Sequence, residues 1–193
     1  HLYVKALPDG APHRLTTQND HLEFYPSWSR DGKSIVYVSW DDSLLGAVRI
    51  ASSTGGAGRV ISHEPGHYVE PVFSPDGKTV VYRKSRDGYL RSPLWSANPG
   101  IYAIAASGVG APHRVTREGG QPQFGASSNR IYLFTHEGAD DDDRAIFSIA
   151  LDGTEKRPLL HGGYFTEVAI SPDEKWVAFT QSYNAYIAPL VRT

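Results

Sequence analysis

The residues with the most suggestive chemistry are His63-Glu64-Pro65-Gly66-His67, because they fit the pattern H-E-x-x-H. In that pattern two histidines one helical turn apart bind zinc, and the glutamate acts as general base. The pattern needs a helix, so that both histidines share one face. Pro65 and Gly66 are poor residues for a helix interior, and strand-like sequence flanks them. We therefore expect a polar turn between strands here, and not a metalloprotease centre.

The run Asp140-Asp141-Asp142-Asp143 is the second candidate for chemistry. A solvated loop tip is the simplest interpretation. Clustered carboxylates also suit Ca²⁺ or another divalent cation, although the spacing differs from the alternating D-x-D-x-D-G calcium loop. A docking patch for a basic partner is the third interpretation. Beyond this, the sequence predicts no cofactor.

Composition excludes several classes of function. The chain has 193 residues, no cysteine and a net charge of −2. Without cysteine there is no disulfide framework and no thiolate site. The near-neutral charge gives no general attraction to nucleic acid, and no apolar run is long enough for membrane insertion. A G-x-S-x-G motif is absent, so no serine nucleophile can be assigned.

Two short motifs alternate along the chain, and they predict the elements that position these residues. The first occurs as PSWSRDGK (26–33), PVFSPDGK (71–78), PQFGASSNR (122–130) and ISPDEK (170–175). The second occurs as PDGAPHRLT (8–16), TGGAGRVIS (54–62), GVGAPHRVT (108–116) and LDGTEKRPL (151–159). Alternating aromatic and β-branched runs lie between tight turns, so each period predicts four short strands.

Four strands in a period of roughly 40–50 residues are typical of a β-propeller blade. The predicted fold class is therefore all-β, a propeller of four-stranded antiparallel blades with about four blades present. A β-sandwich would not explain the strict period. We name the strands of a blade A to D from the inside outward.

The repeats predict one propeller segment over residues 1–193. Strands C and D of a split blade occupy 1–16, full blades occupy 24–62, 68–116 and 121–160, and a final partial blade occupies 166–191. Since the chain opens on His1 and lacks methionine, we expect a segment of a larger propeller.

The strings FSPDGKTVVY (73–82), SRDGKSIVY (29–37) and SPDEKWVAF (171–179) resemble the TolB-type propeller repeat. That repeat also occurs in propellers attached to prolyl-oligopeptidase-like peptidases and to a group of bacterial amidohydrolases. The resemblance covers essentially the whole chain. It implies six or seven blades in a complete protein and favours a periplasmic or other extracytoplasmic location.

Strand order determines which loops share a side of the propeller. The A–B and C–D turns lie on one side, here called the turn side, and their aspartates are explained by local backbone hydrogen bonding. The B–C loops and the D–A links lie on the other, here called the link side. The link side collects acidic residues and histidines, and loops held by a rigid scaffold commonly carry function.

Two groups on the link side are candidate binding residues. A loose ring at the mouth of the central channel would coordinate a cation or hold the polar end of a ligand: His21, Tyr25, His67, Glu70 and Glu167. Large apolar residues in the loop 85–100 either fold back on the blade or form an interface: Tyr89, Leu90, Leu94 and Trp95.

The predicted function is a non-catalytic binding or scaffold propeller of a TolB-like bacterial protein, with a protein or another domain of the parent chain as partner. The alternative is the accessory propeller of a hydrolase, an amidohydrolase or a peptidase, whose catalytic residues lie outside this chain. Open blade edges could also pair with another chain to form an oligomer.

Overall fold

The computed structural model describes residues 1–85, 97–136, 144–161 and 165–190. Every regular element in these residues is a β-strand, and every pair of adjacent strands is antiparallel. The all-β fold class and the four-stranded sheet predicted from the repeats are thereby confirmed. The described residues contain no helix capable of crossing a membrane.

Five sheets follow one another along the chain, and we number them in that order. Sheet 1 contains β1 (Tyr3–Val4) and β2 (His13–Arg14). Sheet 2 contains β3 (Leu22–Trp28), β4 (Ser34–Asp41), β5 (Leu45–Ser52) and β6 (Arg59–Val60). Sheet 3 contains β7 (Tyr68–Phe73), β8 (Thr79–Lys84), β9 (Gly100–Ala105) and β10 (His113–Thr116). Sheet 4 contains β11 (Gly120–Phe124), β12 (Arg130–His136), β13 (Arg144–Ala150) and β14 (Arg157–His161). Sheet 5 contains β15 (Phe165–Ile170), β16 (Trp176–Gln181) and β17 (Asn184–Pro189).

Each sheet is a simple meander, because every strand pairs with the one before it. The first strands of neighbouring sheets contact one another, β3 with β7, β7 with β11 and β11 with β15. These strands therefore lie innermost. The A–B and C–D turns consequently share one side of the assembly, and the B–C and D–A connections share the other.

The core lies between the sheets, and strand alternation decides which neighbour each residue meets. On β8, Val80 and Tyr82 pack against sheet 2. Val81, between them in sequence, packs against sheet 4. All three are buried. Both faces of the middle sheets are covered, which explains why their strands read as nearly continuous apolar runs.

Every inner strand contains an irregularity at the same place. The pairing register shifts within β3, β7, β11 and β15, about halfway along each strand. In three of them the residue before a proline has a left-handed backbone, with φ of 52° at Tyr25, 56° at Glu70 and 49° at Gln121. Such bulges turn side chains in new directions. Here they turn each inner strand near its middle.

Sheet 5 shows one face that no described residue covers. Ala103 on β9 is 1% exposed, whereas Ile187, which occupies the matching position on β17, is 68% exposed. Trp176 on the same face is also exposed. Within the described residues β17 has a strand on one side only. Pairing of this edge with another chain stays a prediction.

Candidate functional site

The turn side repeats one hydrogen-bonded turn. The hydroxyl of Ser74 donates to Asp76 Oδ1 at 2.6 Å and accepts from the amide of Thr79 at 3.0 Å. The same atoms form the same bonds between Ser29, Asp31 and Ser34, and between Ser171, Asp173 and Trp176. The aspartates of the repeated motif are therefore occupied in shaping turns, as the sequence predicted.

Hydrogen bonding in these turns changes the acidity of the aspartates. The serine hydroxyl, followed by a backbone amide two residues on, holds the pKa of Asp76 below its ordinary value. The pKa of Asp31 and that of Asp173 are lowered by the same causes. A carboxylate that accepts hydrogen bonds keeps its charge more easily. These groups are anionic structural acceptors.

The HEPGH segment forms the link between β6 and β7 and contains no helix. His63 Nε2 donates to the carbonyl of Gly108 at 3.1 Å. Glu64 pairs with Lys84, whose side chain is only 4% exposed. The amide of Gly46 donates to the carbonyl of Gly66 at 3.0 Å, and an isolated antiparallel bridge joins the two residues. The segment therefore contacts both β5 of sheet 2, through Gly46, and β8 of sheet 3, through Lys84.

His67, the last residue of that segment, packs against an indole. Its ring lies edge-on to Trp40, with centroids 5.7 Å apart. In the part of the chain that the structure describes, no three histidine or carboxylate side chains are arranged to hold a metal ion. The zinc-protease interpretation of the motif therefore has no geometric support in these residues.

Glu70 connects two sheets across the bulge of β7. Its Oε2 accepts the amide of Gln121 at 2.7 Å, and its Oε1 accepts from Arg83 at 3.1 Å. The left-handed backbone at Glu70 directs the carboxylate toward sheet 4. Glu70 thus links two sheets, and its carboxylate is already neutralised by Arg83.

A buried carboxylate, Glu23, lies on β3 under the link from sheet 1. Its side chain is completely buried. Oε2 accepts from the amide of Leu2 at 2.8 Å and from the hydroxyl of Thr16 at 2.6 Å. Oε1 has no hydrogen-bond partner in the described residues and lies 3.6 Å from Nε2 of His21. Oε2 thus links the residues that flank sheet 1 to sheet 2, and Oε1 faces the imidazole of His21.

His21 connects this buried carboxylate to the surface. Its side chain is 4% exposed, and Nδ1 lies 2.7 Å from Oδ1 of the exposed Asp20. Nε2 has no hydrogen-bond partner among the described residues. The imidazole therefore stands between one exposed and one buried carboxylate.

An open cleft of about 310 Å³ lies above His21, and we call it the His21 cleft. It is formed by residues 19–22 and 40–42 together with His1. The indole nitrogen of Trp40 donates to Asp42 Oδ1 at 2.9 Å. Asp41 Oδ1 accepts the amides of Ser43 and Leu44, both at 2.8 Å. An indole and three carboxylates thus line the cleft in fixed positions.

The five residues of the predicted channel ring have different surroundings. His21 and His67 both border the Trp40 region, His21 within the cleft and His67 against the indole. Glu70 connects sheets 3 and 4. Tyr25 and Glu167 are exposed on the inner strands. Binding of a cation or ligand by this ring stays a prediction.

The other predicted groups fall outside the described residues. These are the apolar loop residues Tyr89, Leu90, Leu94 and Trp95, and the acidic run Asp140, Asp141, Asp142 and Asp143. Their roles as an interface and as an acidic docking or cation-binding loop therefore stay predictions.

Sequence reasoning did not single out Glu23, Trp40 or Asp42 as site residues. Asp42 and Trp40 follow the apolar run of β4 and resemble any loop entry. Glu23 alternates with exposed neighbours on β3, so its burial depends on sheet 1 covering it. The only available signal was the density of acidic and histidine residues on the link side.

Antiparallel meanders stacked around inner strands, three of them four-stranded, define a segment of a β-propeller whose link side differs from repeat to repeat. The family comparison agrees. The chain belongs to the TolB beta propeller domain family, whose model matches residues 2–190.

Known proteins match parts of this fold. The Tol-Pal system protein TolB of Francisella tularensis subsp. mediasiatica (strain FSC147) is 36% identical over 77 residues, which is 40% of this chain and 17% of that relative. The crystal structure of TolB from Acinetobacter baumannii has a TM-score of 0.67 at 23% identity, covering 88% of this chain and 41% of that one. The tricorn protease has a TM-score of 0.65 at 12% identity, covering 97% of this chain and 23% of that one. The two structures show the fold alone, and the chain spans less than half the length of each of these proteins.

Proposed function

We propose that this domain is a non-catalytic binding propeller that presents its link side to a protein partner. The observation that carries the proposal is the contrast between the sides. Three turns on the turn side repeat one set of hydrogen bonds, whereas the connections on the link side differ from one another and include the walls of the His21 cleft. Loops on a rigid scaffold are the usual place for recognition.

The relatives support a protein partner and an extracytoplasmic location. The curated matches from Francisella tularensis and Alcanivorax borkumensis are named Tol-Pal system proteins, and that name describes a multicomponent assembly. We extend this role to the present chain as a protein-binding function in the same kind of system, outside the cytoplasm. The absence of cysteine is compatible with that compartment.

Site-specific photo-crosslinking in the source cells tests the proposal. The crosslinker is placed at Ser43 or Glu167, both exposed on the link side, and in matched variants at Lys33 or Lys78, both exposed on the turn side. We expect the same protein to be captured from both link-side positions and not from the turn side. Equal capture from both sides, or none from either, would refute the proposal.

The second candidate is the accessory propeller of a hydrolase, with catalysis elsewhere in a longer chain. The match to the tricorn protease supports this accessory-domain candidate, because there the fold covers 23% of a longer chain. The same experiment separates the two candidates. A crosslinked product with the mass of one parent chain supports the accessory domain, whereas a product with the added mass of a second protein supports the binding propeller.

A further inference from the structure

We propose that the His21 cleft binds the cationic side chain of a lysine or arginine supplied by the protein partner. The proposal rests on the proposed function and names the chemistry of its recognition site. The cleft volume of about 310 Å³ is sufficient for one such side chain.

The charge of the lining favours a cation. Asp20, Asp41 and Asp42 line the cleft, and lysine and arginine are absent from its lining. The guanidinium of Arg14 contacts the lining residues Asn19, at Oδ1 and 2.7 Å, and His1, at Nδ1 and 3.2 Å, and it also donates to the carbonyl of Gln18. Each of the three carboxylates has its Oδ1 oxygen engaged by a local group. No described residue bonds to Oδ2 of these three carboxylates. That oxygen can therefore accept a hydrogen bond from a ligand.

The indole wall favours the same ligand. Trp is the strongest aromatic partner for a cation held over its face. Trp40 is fixed twice, by its bond to Asp42 and by the edge-on ring of His67. A rigid indole costs little conformational entropy when a ligand binds. The exposed Leu22 at the rim offers contact for the aliphatic part of a lysine or arginine.

The buried groups below the cleft provide an independent indication of a ligand. His21 lines the cleft with a side chain that is 96% buried, and its Nε2 makes no hydrogen bond in the described residues, although it faces Oε1 of Glu23 at 3.6 Å. The buried Glu23 leaves Oε1 unsatisfied beside it. Unpaired polar atoms at such depth are rare in folded proteins. A bound cation above them would add a favourable charge to this carboxylate-rich cluster.

The experiment uses the ¹⁵N-labelled protein and three short peptides. Acetyl-Gly-Arg-Gly-amide and acetyl-Gly-Lys-Gly-amide supply the cation, and acetyl-Gly-citrulline-Gly-amide is the neutral match for arginine. The indole N–H signal of Trp40 is followed by NMR and is assigned among the four tryptophans by the Trp40→Phe variant. We expect saturable shifts with the two cationic peptides, with a dissociation constant of about 1 mM or weaker for a single side chain.

Two variants test the carboxylates. Asp42→Asn removes one charge but keeps an oxygen that can accept from Trp40, and it should weaken arginine-peptide binding by about threefold to fivefold. Asp9→Asn removes the same charge on the turn side and should leave the dissociation constant unchanged. Rising ionic strength should weaken binding further.

Several outcomes would overturn the inference. They are an equal response to the citrulline peptide, no response of Trp40 to any peptide, equal effects of the two aspartate variants, or a response to calcium chloride at lower concentration than to the peptides. If link-side crosslinking to the partner persists in that case, the proposed function stands and only the assignment of a cationic ligand fails.

Discussion

The turn side and the link side of this propeller are built from the same strands but are stabilised differently. On the turn side, three turns share one set of bonds, from a serine hydroxyl to an aspartate and from a backbone amide to that serine. On the link side each connection is individual. HEPGH joins sheets through Gly46 and Lys84, whereas the link before β3 joins sheets through the buried Glu23.

This difference shows where the sequence can vary without loss of the fold. In the repeated turn the serine, the aspartate and a backbone amide bond one another within six residues, and contacts with the next sheet, such as that of the Asp76 amide with Ser128 Oγ at 3.2 Å, are added to this internal set. A link must satisfy its polar groups across sheets, and each link does so with its own residues. The link side is therefore both more specific to this chain and more sensitive to single substitutions.

The largest expected effect is at Glu23. Replacing Glu23 with Ala leaves the amide of Leu2 and the hydroxyl of Thr16 without their buried acceptor. Because each unsatisfied buried group costs about 1–3 kcal/mol, we expect a loss of about 3 kcal/mol in the free energy of unfolding. Urea denaturation followed by circular dichroism measures it.

The matched control for Glu23 is Glu155 on the turn side. Glu155 pairs with Arg130 and Arg157 but is largely exposed, so Glu155→Ala should cost under about 1 kcal/mol. If the two substitutions cost the same, the distinction between the sides loses its main energetic support.

The next effect is at Gly46, where HEPGH approaches the B–C turn of sheet 2. A Cβ at this position would lie 2.4 Å from the carbonyl oxygen of Gly66, and backbone cannot move aside cheaply. We expect Gly46→Ala to lower the free energy of unfolding by about 1–3 kcal/mol. In Gly66→Ala the new Cβ meets only side-chain atoms of Lys84 and Tyr68, at 3.2 Å. A larger cost for Gly66→Ala than for Gly46→Ala would contradict the close backbone approach.

A smaller effect is expected in the repeated turn. Ser74→Ala removes the hydroxyl that bonds Asp76 and Thr79, and should cost about 1 kcal/mol at neutral pH. The same change should raise the pKa of Asp76 back toward its ordinary 3.8, because the serine hydroxyl is the main cause of its lowering. Carboxyl NMR titration measures that pKa.

The pH dependence of this turn follows from the sign of the shift. A carboxyl whose pKa is lower in the folded state stabilises the fold above its unfolded pKa, and the contribution is lost as pH falls through the folded pKa. The wild-type advantage over Ser74→Ala should therefore shrink in acid, below the unfolded value of 3.8. An advantage that grows as the pH falls would show that the hydroxyl acts through some other contact.

At neutral pH the smallest effect concerns Tyr37, whose ionisation changes stability only in alkali. Burial, and secondarily the charge of Glu23, raises the pKa of Tyr37 to about 12. The folded state then keeps the phenol neutral while the unfolded chain ionises at 10.0, so stability falls as pH rises through this interval. Tyrosinate absorbance of wild type minus Tyr37→Phe measures the titration.

Glu23→Gln sharpens this last test. Removing the carboxylate charge should lower the pKa of Tyr37, although burial should still keep it above 10.0. An unchanged pKa of Tyr37 in Glu23→Gln would show that the charge of Glu23 does not act on the phenol.

The sequence was sufficient for the fold because the fold is repetitive. Four turns in a common register give strand number, sheet order and the two sides without any knowledge of tertiary contacts. It also showed that Pro65 and Gly66 exclude a helix at HEPGH. The candidate site was harder to predict. His21 and Glu70 were both predicted to lie in one channel ring. In the structure His21 faces the buried carboxylate of Glu23, whereas Glu70 links two sheets.

By itself, then, the sequence determined the blade, its turns and the acidic character of the link side, since these depend on local spacing and composition. Only the tertiary structure decided which polar groups are buried. Glu23 is buried because Leu2 and Thr16 of another segment cover it, and Trp40 is fixed because His67 of the next link packs on it. Contacts between segments far apart in the chain leave no local pattern, so the His21 cleft appears only when the sheets are stacked.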